Sequence, residues 1–299
     1  MKGVVVVGSD GALGRLLVEA LGATPVRFRH PGELLDASIP EIGASRVVIN
    51  VSGPRVWPGL GWADYLREHV GTASAVARSV PPESHLIHVS SAAVYGARPN
   101  AIGASTPEEP RSFPNPSYAW AKLAGEHAAR AVCRERGVRL SVLRPAMVYG
   151  PGVTSAIDTL LSLAARGVVL DLVPGTTSQS CLHVSLLVEV VRRLVAGKAA
   201  LAVPLPVADP FVFTNADLTR AIQARHRGVR IPAPLGIAEA VLRRWPLFPD
   251  RDGPGPIAAL AFLGMGNVFD STPIFRELGL SAAEFSRRST LDRYLGDVA

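Results

Sequence analysis

Apolar residues along this chain fall into two textures, short unbroken runs and longer stretches that repeat at helical spacing. Val4 to Val7 is the first unbroken run, β-branched throughout, and it reads as a strand buried on both faces of a parallel sheet. LGRLLVEAL, ending at Leu21, repeats its apolar residues with helical period. Pro25 to Phe28 predicts a second strand, Arg46 to Val51 a third, and residues 63–80 a helix. HLIHVSS predicts a buried strand that delivers Ser90 and Ser91 to its carboxyl end. The next helix carries Tyr118 and continues through KLAGEHAARAVCRERG to a terminating glycine, Gly137. After the strand in VRLSVLRPAMVYGPG the texture changes at Gly150. A helix is expected near Ala156 to Ala165, then VVLDLVPG, the apolar segment CLHVSLLVEVVRRLVAG, and a helix starting at Asn215.

The breaks between these runs carry the candidate chemistry. Gly8, Gly11 and Gly14 stand between the first strand and the first helix, spaced G-x-x-G-x-x-G. Glycines there give a tight turn, let backbone N–H groups, including those of Ala12 and Leu13, approach a pyrophosphate, and let the helix pack on the strand. The end of the second strand reads the adenosine ribose of such a cofactor, through an acidic residue for a 2′-OH or arginine for a 2′-phosphate. Here stand Arg27, Phe28, Arg29 and His30, so NADP(H) is favoured and NAD(H) is the alternative, with Asp36 the nearest acid. Pro31, Gly32, Pro40 and Gly43 predict an abbreviated crossover to the third strand. Trp57 and Trp62 in the following loop are either lids or caps on the core, and 248–256 is an expected loop.

Tyr118 and Lys122 lie four residues apart, so phenol and ammonium project from one helix face. A cation within about 4–6 Å favours phenolate and makes a tyrosine useful for proton transfer. Both cysteines, Cys133 and Cys181, lack metal-ligand spacing and read as buried thiols. The 299 residues, 48% of them apolar, suffice for two domains and a large core. No uncharged apolar run reaches the about 18 residues of a membrane span, and the expected location is cytoplasmic. A net charge of +6 comes from arginines scattered singly and in short pairs, which argues for solvated surface and against nucleic acid, and suits an anionic substrate.

VSSAAVYG followed by NPSYAWAK resembles the extended short-chain dehydrogenase/reductases, the NAD(P)-dependent epimerase/dehydratase family, and the resemblance covers nearly the whole chain. It implies a Rossmann-type doubly wound parallel sheet with a smaller α/β C-terminal substrate domain. The corresponding division is 1–150 plus 181–204 for the nucleotide and 151–180 plus 205–299 for the substrate. By position Ser91 matches the family's catalytic hydroxyl, Tyr118 its acid/base, and Lys122 the lysine that holds the nicotinamide ribose. Ser52 and Gly53 fall beneath the nicotinamide, with Pro145 to Val148 lying against it. His69 stands where the family commonly has asparagine, and an imidazole there either donates a comparable hydrogen bond or packs. Ser185 replaces the aspartate of the family's H-V-x-D segment, with little chemical consequence expected.

The resemblance further implies a nucleoside-diphosphate sugar as substrate, and pairing of two chains through the helices of His69 and Tyr118. Ala92 and Ala93 stand where dehydratases carry Asp-Glu, which disfavours dehydration and leaves two reactions. The expected one is reduction of a keto-sugar nucleotide, of the 4-ketoreductase type. The alternative is a 4-epimerase that retains NAD. From another class, a catalytically idle NADP(H)-binding sensor or scaffold is the competing reading. Arg220, Arg225 and Arg227 are candidates for a diphosphate clamp.

Overall fold

The structure is a computed structural model that describes residues 3–27, 40–54, 61–98, 100–112, 115–197, 200–237, 260 and 263–297. Phe28, Arg29, His30, Asp36, Trp57 and the loop 248–256 lie outside the described residues.

Six parallel strands form the main sheet in the order β10-β5-β4-β3-β1-β2. They are β1 (Val4–Val7), β2 (Thr24–Val26), β3 (Val47–Asn50), β4 (His85–Val89), β5 (Arg139–Pro145) and β10 (Leu205–Val207). β1, β3 and β4 are buried at every position, as strands covered by helices on both faces must be. From β1 the chain moves outward to β2 and then returns to the other side of β1 for β3. That reversal opens a crevice at the carboxyl ends of β1 and β3, the place where open α/β sheets bind ligands.

Helix α1 (Ala12–Leu21) follows the glycine turn, and a short helical turn α2 (Pro40–Gly43) precedes β3. The next helical segment is interrupted. α3 (Trp62–Leu66) passes into a π-helical turn (Arg67–Gly71) and then into α4 (Thr72–Ser79). The long helix α5 (Pro116–Arg136) packs on all three, and it comes close at Gly125, where a Cβ would stand 3.2 Å from the His69 carbonyl oxygen. Trp62, at the start of α3, is 47% exposed and so does not cap the core.

A second, smaller core gathers α6 (Ala156–Ala165), β7 (Val168–Val173), α8 (Asn215–Gln223), β12 (Val229–Pro234) and the helix Leu291–Asp297. β7 and β12 pair in parallel along their full length. Two strand pairs lie between the cores: β6 (Met147–Tyr149) with β9 (Cys181–His183), and β8 (Ser178–Gln179) with β11 (Phe213–Thr214). Helix α7 (Val184–Ala196) returns its apolar face to the first core.

The boundary expected at residue 204 shifts. Leu205–Val207 is the edge strand of the main sheet beside β5, and Ile274, Phe275 and Phe285 bury themselves in the core under that sheet. The sheet had room beside β5, and a short apolar strand there covers an edge that would otherwise expose unpaired backbone groups. No helix among the described residues is long and apolar enough to cross a membrane.

Candidate functional site

A cavity of about 680 Å³ opens over the carboxyl ends of β1, β3, β4 and β5. The glycine turn forms its floor. Gly11 is the N-cap of α1, and Ala12, Leu13 and Gly14 line the cavity with the first turn of the helix, whose N–H groups have no intrahelical acceptor. Gly14 is required by space, since a Cβ there would stand 2.1 Å from the Gly8 carbonyl oxygen. Gly8 does not line the cavity. Its φ of +88° and the approach of the Ser52 backbone, 2.8 Å from where a Cβ would be, make it a packing glycine.

At the neighbouring turn Gly53 lines the cavity, whereas Ser52 does not. The Ser52 hydroxyl and N–H both donate to Asn50 Oδ1. The candidate contact at Ser52 therefore becomes a brace that shapes the turn. Pro145 and Val148 line the cavity with Ala146 and Met147 between them. Arg29 and His30 lie outside the described residues. Arg27, directly after β2, is held by Asp10 of the glycine turn through an exposed ion pair of 2.9 Å. Asp10 thus brings a carboxylate to the cavity rim from the glycine turn, where sequence reasoning looked for one only after β2.

Ser91, Tyr118 and Lys122 all line this cavity. Ser91 is extended and caps the 3-10 turn Ala92–Tyr95, its Oγ accepting from Ala93 N at 3.2 Å, with the hydroxyl proton still available. Ser90, beside it, has a buried Oγ with no hydrogen-bond partner in the structure. Asn115 caps α5 by accepting from Tyr118 N at 3.0 Å, and Pro116 follows at the first helical position. The cap fixes the backbone of Tyr118, a role the N-P-S-Y run could have announced. Lys122 is buried, and its Nζ donates to Val89 O at 3.4 Å and lies 5.9 Å from the Tyr118 ring centroid. Burial pulls its pKa down to about 8, opposed by the nearby Glu126 carboxylate.

The C-terminal segment supplies the opposite wall. Met265 packs, as Tyr118 does, against the cluster of Ala93 and Ala119, and Phe269 meets the Tyr95 ring at 6.4 Å. Asn267 ties that wall to the loop after Tyr95, donating to Gly96 O at 2.7 Å and accepting from Arg98 N at 3.0 Å. The same loop is anchored beneath by Arg144, whose guanidinium binds Glu126 at 2.7 Å and Glu108 at 2.8 Å and lies over the Tyr95 ring. Met265, Asn267 and Phe269 had no signal in the sequence, because they reach the site from about 150 residues beyond Tyr118. Arg220 and Arg225 do not reach the cavity. Arg220 pairs with Asp217 at 2.6 Å, Arg225 donates to backbone carbonyls of its own unit, and Arg227 is likewise outside the lining. His183 caps α7 through Nδ1, which accepts from Ser185 N, so the capping function falls to the imidazole.

One cavity thus brings together the N-terminus of α1, a kind of position suited to anions, and a hydroxyl, a phenol and an ammonium. Residues 45–203 match the model of the NAD dependent epimerase/dehydratase family. The chain belongs to that family.

The family's folds recur among solved structures. MoeE5 in complex with UDP-glucose and NAD superposes with a TM-score of 0.72 at 19% identity, covering 98% of this chain and 96% of that one. The UDP-glucuronic acid 4-epimerase of Bacillus cereus in complex with NAD gives 0.72 at 14% identity, with 99% and 96% covered. The dTDP-4-dehydrorhamnose reductase of Bacillus anthracis in complex with NADP gives 0.70 at 16% identity, with 100% and 99% covered. At these identities the likeness is one of fold. The uncharacterized protein y4nG of Sinorhizobium fredii is 27% identical over 198 residues, 58% of this chain and 48% of that protein, so the match spans about half the relative's length.

Proposed function

We propose that the enzyme transfers hydride between a nicotinamide cofactor and a sugar nucleotide, most directly reducing a keto-sugar nucleotide in the manner of a 4-ketoreductase. The observation that carries this reading is that Ser91, Tyr118 and Lys122 open onto the same cavity as the N-terminus of α1. In this reading the first turn of α1 would hold the pyrophosphate, Gly53, Pro145 and Val148 would flank the nicotinamide, and Lys122 would hold its ribose and supply the cation beside Tyr118. The nicotinamide cofactor, when bound, would supply the hydride. Tyr118 would give its proton to the substrate's carbonyl oxygen, and the Ser91 hydroxyl would donate a hydrogen bond to that oxygen. Proton donation of this kind is worth about 10²–10⁴-fold in rate.

Ala92 and Ala93, both buried, offer no acid or base beside Ser91, which argues against dehydration. Arg27 at the end of β2 supports NADP(H) as cofactor. A second reading, an epimerase that keeps NAD bound, draws support from Asp10, whose carboxylate neutralises that arginine. Pairing of two chains through α3 and α5, where Trp62 and Trp120 are exposed, completes the proposal.

The test is a panel of nucleoside-diphosphate 4-keto sugars added to the enzyme with NADPH. Stoichiometric loss of NADPH absorbance is the expected result. Protein that purifies with tightly bound NAD and interconverts epimers without net redox change establishes the epimerase instead. Binding of NADP(H) with no turnover across the panel favours the idle binding protein.

A further inference from the structure

The chain has three methionines, and both that follow the initiator, Met147 and Met265, line the cavity of Ser91 and Tyr118. They arrive on different elements. Met147 opens β6, whereas Met265 comes with the C-terminal segment and packs, as Tyr118 does, against the cluster of Ala93 and Ala119. Ala92 and Ala93, next along the chain from Ser91, line the same cavity. The surface beside the phenol and the hydroxyl is thus built from methyl and thioether groups.

Polar side chains also stand in this wall, and each is engaged in holding it. Asn267 uses both ends of its amide on the loop after Tyr95. Ser180 Oγ accepts from Phe269 N at 3.1 Å, Ser180 N donates to Asn267 O at 2.9 Å, and Gln179 Nε2 donates to Leu263 O. Ile102 donates to Val268 O and accepts from Asp270 N, both at 2.8 Å. Between these anchors the chain turns at Gly266, whose φ is +65° and where a Cβ would stand 2.9 Å from the Thr177 methyl. The segment is therefore fixed on both sides of Met265.

In the reading above, Tyr118 and Ser91 meet the C4 carbonyl oxygen of a sugar. The ring neighbours of that carbon are C3, which bears a hydroxyl, and C5, which bears C6. A wall of methyl and thioether groups suits a methyl at C6, because it gives a C6 hydroxyl no partner and strips water from a C6 carboxylate. We propose that Met265 is a specificity-determining residue: with Ala92 and Ala93 it forms an apolar subsite beside Tyr118 that takes a methyl group at C6 and discriminates against hydroxymethyl and carboxylate there. Its unbranched, polarizable side chain adapts closely to such a group. The inference rests on the cavity being a keto-sugar-nucleotide site, and binding tests it without turnover.

The probes are nucleoside-diphosphate glucoses that differ only at C6, as methyl, hydroxymethyl or carboxylate, in the uridine and the thymidine series. Their Kd values are measured by calorimetry on Y118F saturated with NADP+ or NAD+, so that no hydride transfer intervenes. The methyl sugar is expected to bind about 10–100-fold more tightly than the hydroxymethyl sugar, the range for one small group in an apolar pocket, and the carboxylate sugar least tightly. M265L in this background should keep the ratio. M265Q, which offers a donor and an acceptor on a side chain of similar length, should bring it to about 1. Equal Kd values with Met265 in place, or a preference that M265Q leaves unchanged, overturn the proposal.

Carbon-13 methyl resonances cover the case in which M265Q does not fold. The Met265 signal, assigned by its loss in M265L, should move when the methyl sugar binds, and a static signal overturns the proposal. A methyl preference without reduction of any 4-keto sugar nucleotide removes the reductase reading and leaves the subsite. Reduction of 4-keto sugar nucleotides regardless of C6 does the reverse, and failure of every probe to bind removes both.

Discussion

Two buried polar clusters occupy this molecule, and they are finished to different degrees. Around Asp209, between the two cores, the accounts of hydrogen bonding close: Oδ2 accepts from Tyr149 OH at 2.8 Å and Oδ1 from His183 N at 3.0 Å, while Asp209 N donates to Cys181 O at 2.7 Å. Beneath the cavity, His69 Nε2, His88 Nε2 and Ser90 Oγ are buried without partners in the structure, and Lys122 makes one long contact. Buried polar groups are normally paired because an unpaired one costs about 1–3 kcal/mol. The Asp209 cluster therefore joins two units of the fold through paired groups, whereas the cluster beneath the cavity leaves His69 Nε2, His88 Nε2 and Ser90 Oγ unpaired within the protein. The contrast separates stability from chemistry, and substitutions in each should move one quantity and spare the other.

The largest effect is expected for Tyr118→Phe, which should lower turnover by about 10²–10⁴-fold while leaving cofactor affinity and the urea midpoint close to the parent. A variant with parent-like turnover removes Tyr118 from the chemistry. Asp209→Ala should do the reverse, leaving the Tyr149 hydroxyl and the His183 N–H buried without an acceptor. Its loss of stability should be about 2–5 kcal/mol by denaturant titration, with little change in turnover per folded molecule.

The two clusters also differ in pH dependence. Burial raises the Asp209 pKa to about 7, against hydrogen bonds that lower it, so its folded value lies above the unfolded one. The unfolded chain releases this proton near pH 4 and the folded chain near 7. Between those values the native state binds more protons, so stability should fall as pH rises from about 4 to about 7, then level off. Asp209→Asn should flatten that slope in thermal melts taken across the range, and an unchanged slope assigns it elsewhere. Lys122 is displaced in the opposite sense, and its contribution should make stability rise with pH from about 8 towards the ordinary lysine value.

The smallest effect belongs to the exposed Asp10–Arg27 pair. Surface pairs are worth about 0.2–1 kcal/mol, so Arg27→Ala should weaken NADP(H) relative to NAD(H) by only a few-fold. Asp10→Asn should shift the ratio the other way. Equal Kd ratios in both variants place the discrimination outside this pair.

The order of elements was legible because it is written locally. Strand β1 is a run of four valines, the glycine turn must be glycine where Gly14 meets Gly8 O, and Tyr118 and Lys122 share a helix face by spacing alone. The domain division was less so, since an apolar triplet such as Leu205–Val207 looks the same whichever sheet edge it joins. Ser52 illustrates the finer limit: its place after β3 was foreseen, but its hydroxyl turns to Asn50 and not to the cavity.

By itself the sequence determined the parallel sheet, the glycine turn after β1 and the shared helix face of Tyr118 and Lys122, because strand burial, tight turns and helix faces depend on residues within a few positions of one another. Only the tertiary structure decided which segment supplies the far wall of the cavity, which acid meets Arg27, and that a π-helical turn sets the His69 ring against Tyr118. Those contacts join segments tens to hundreds of residues apart, and packing selects among them where local preference is silent.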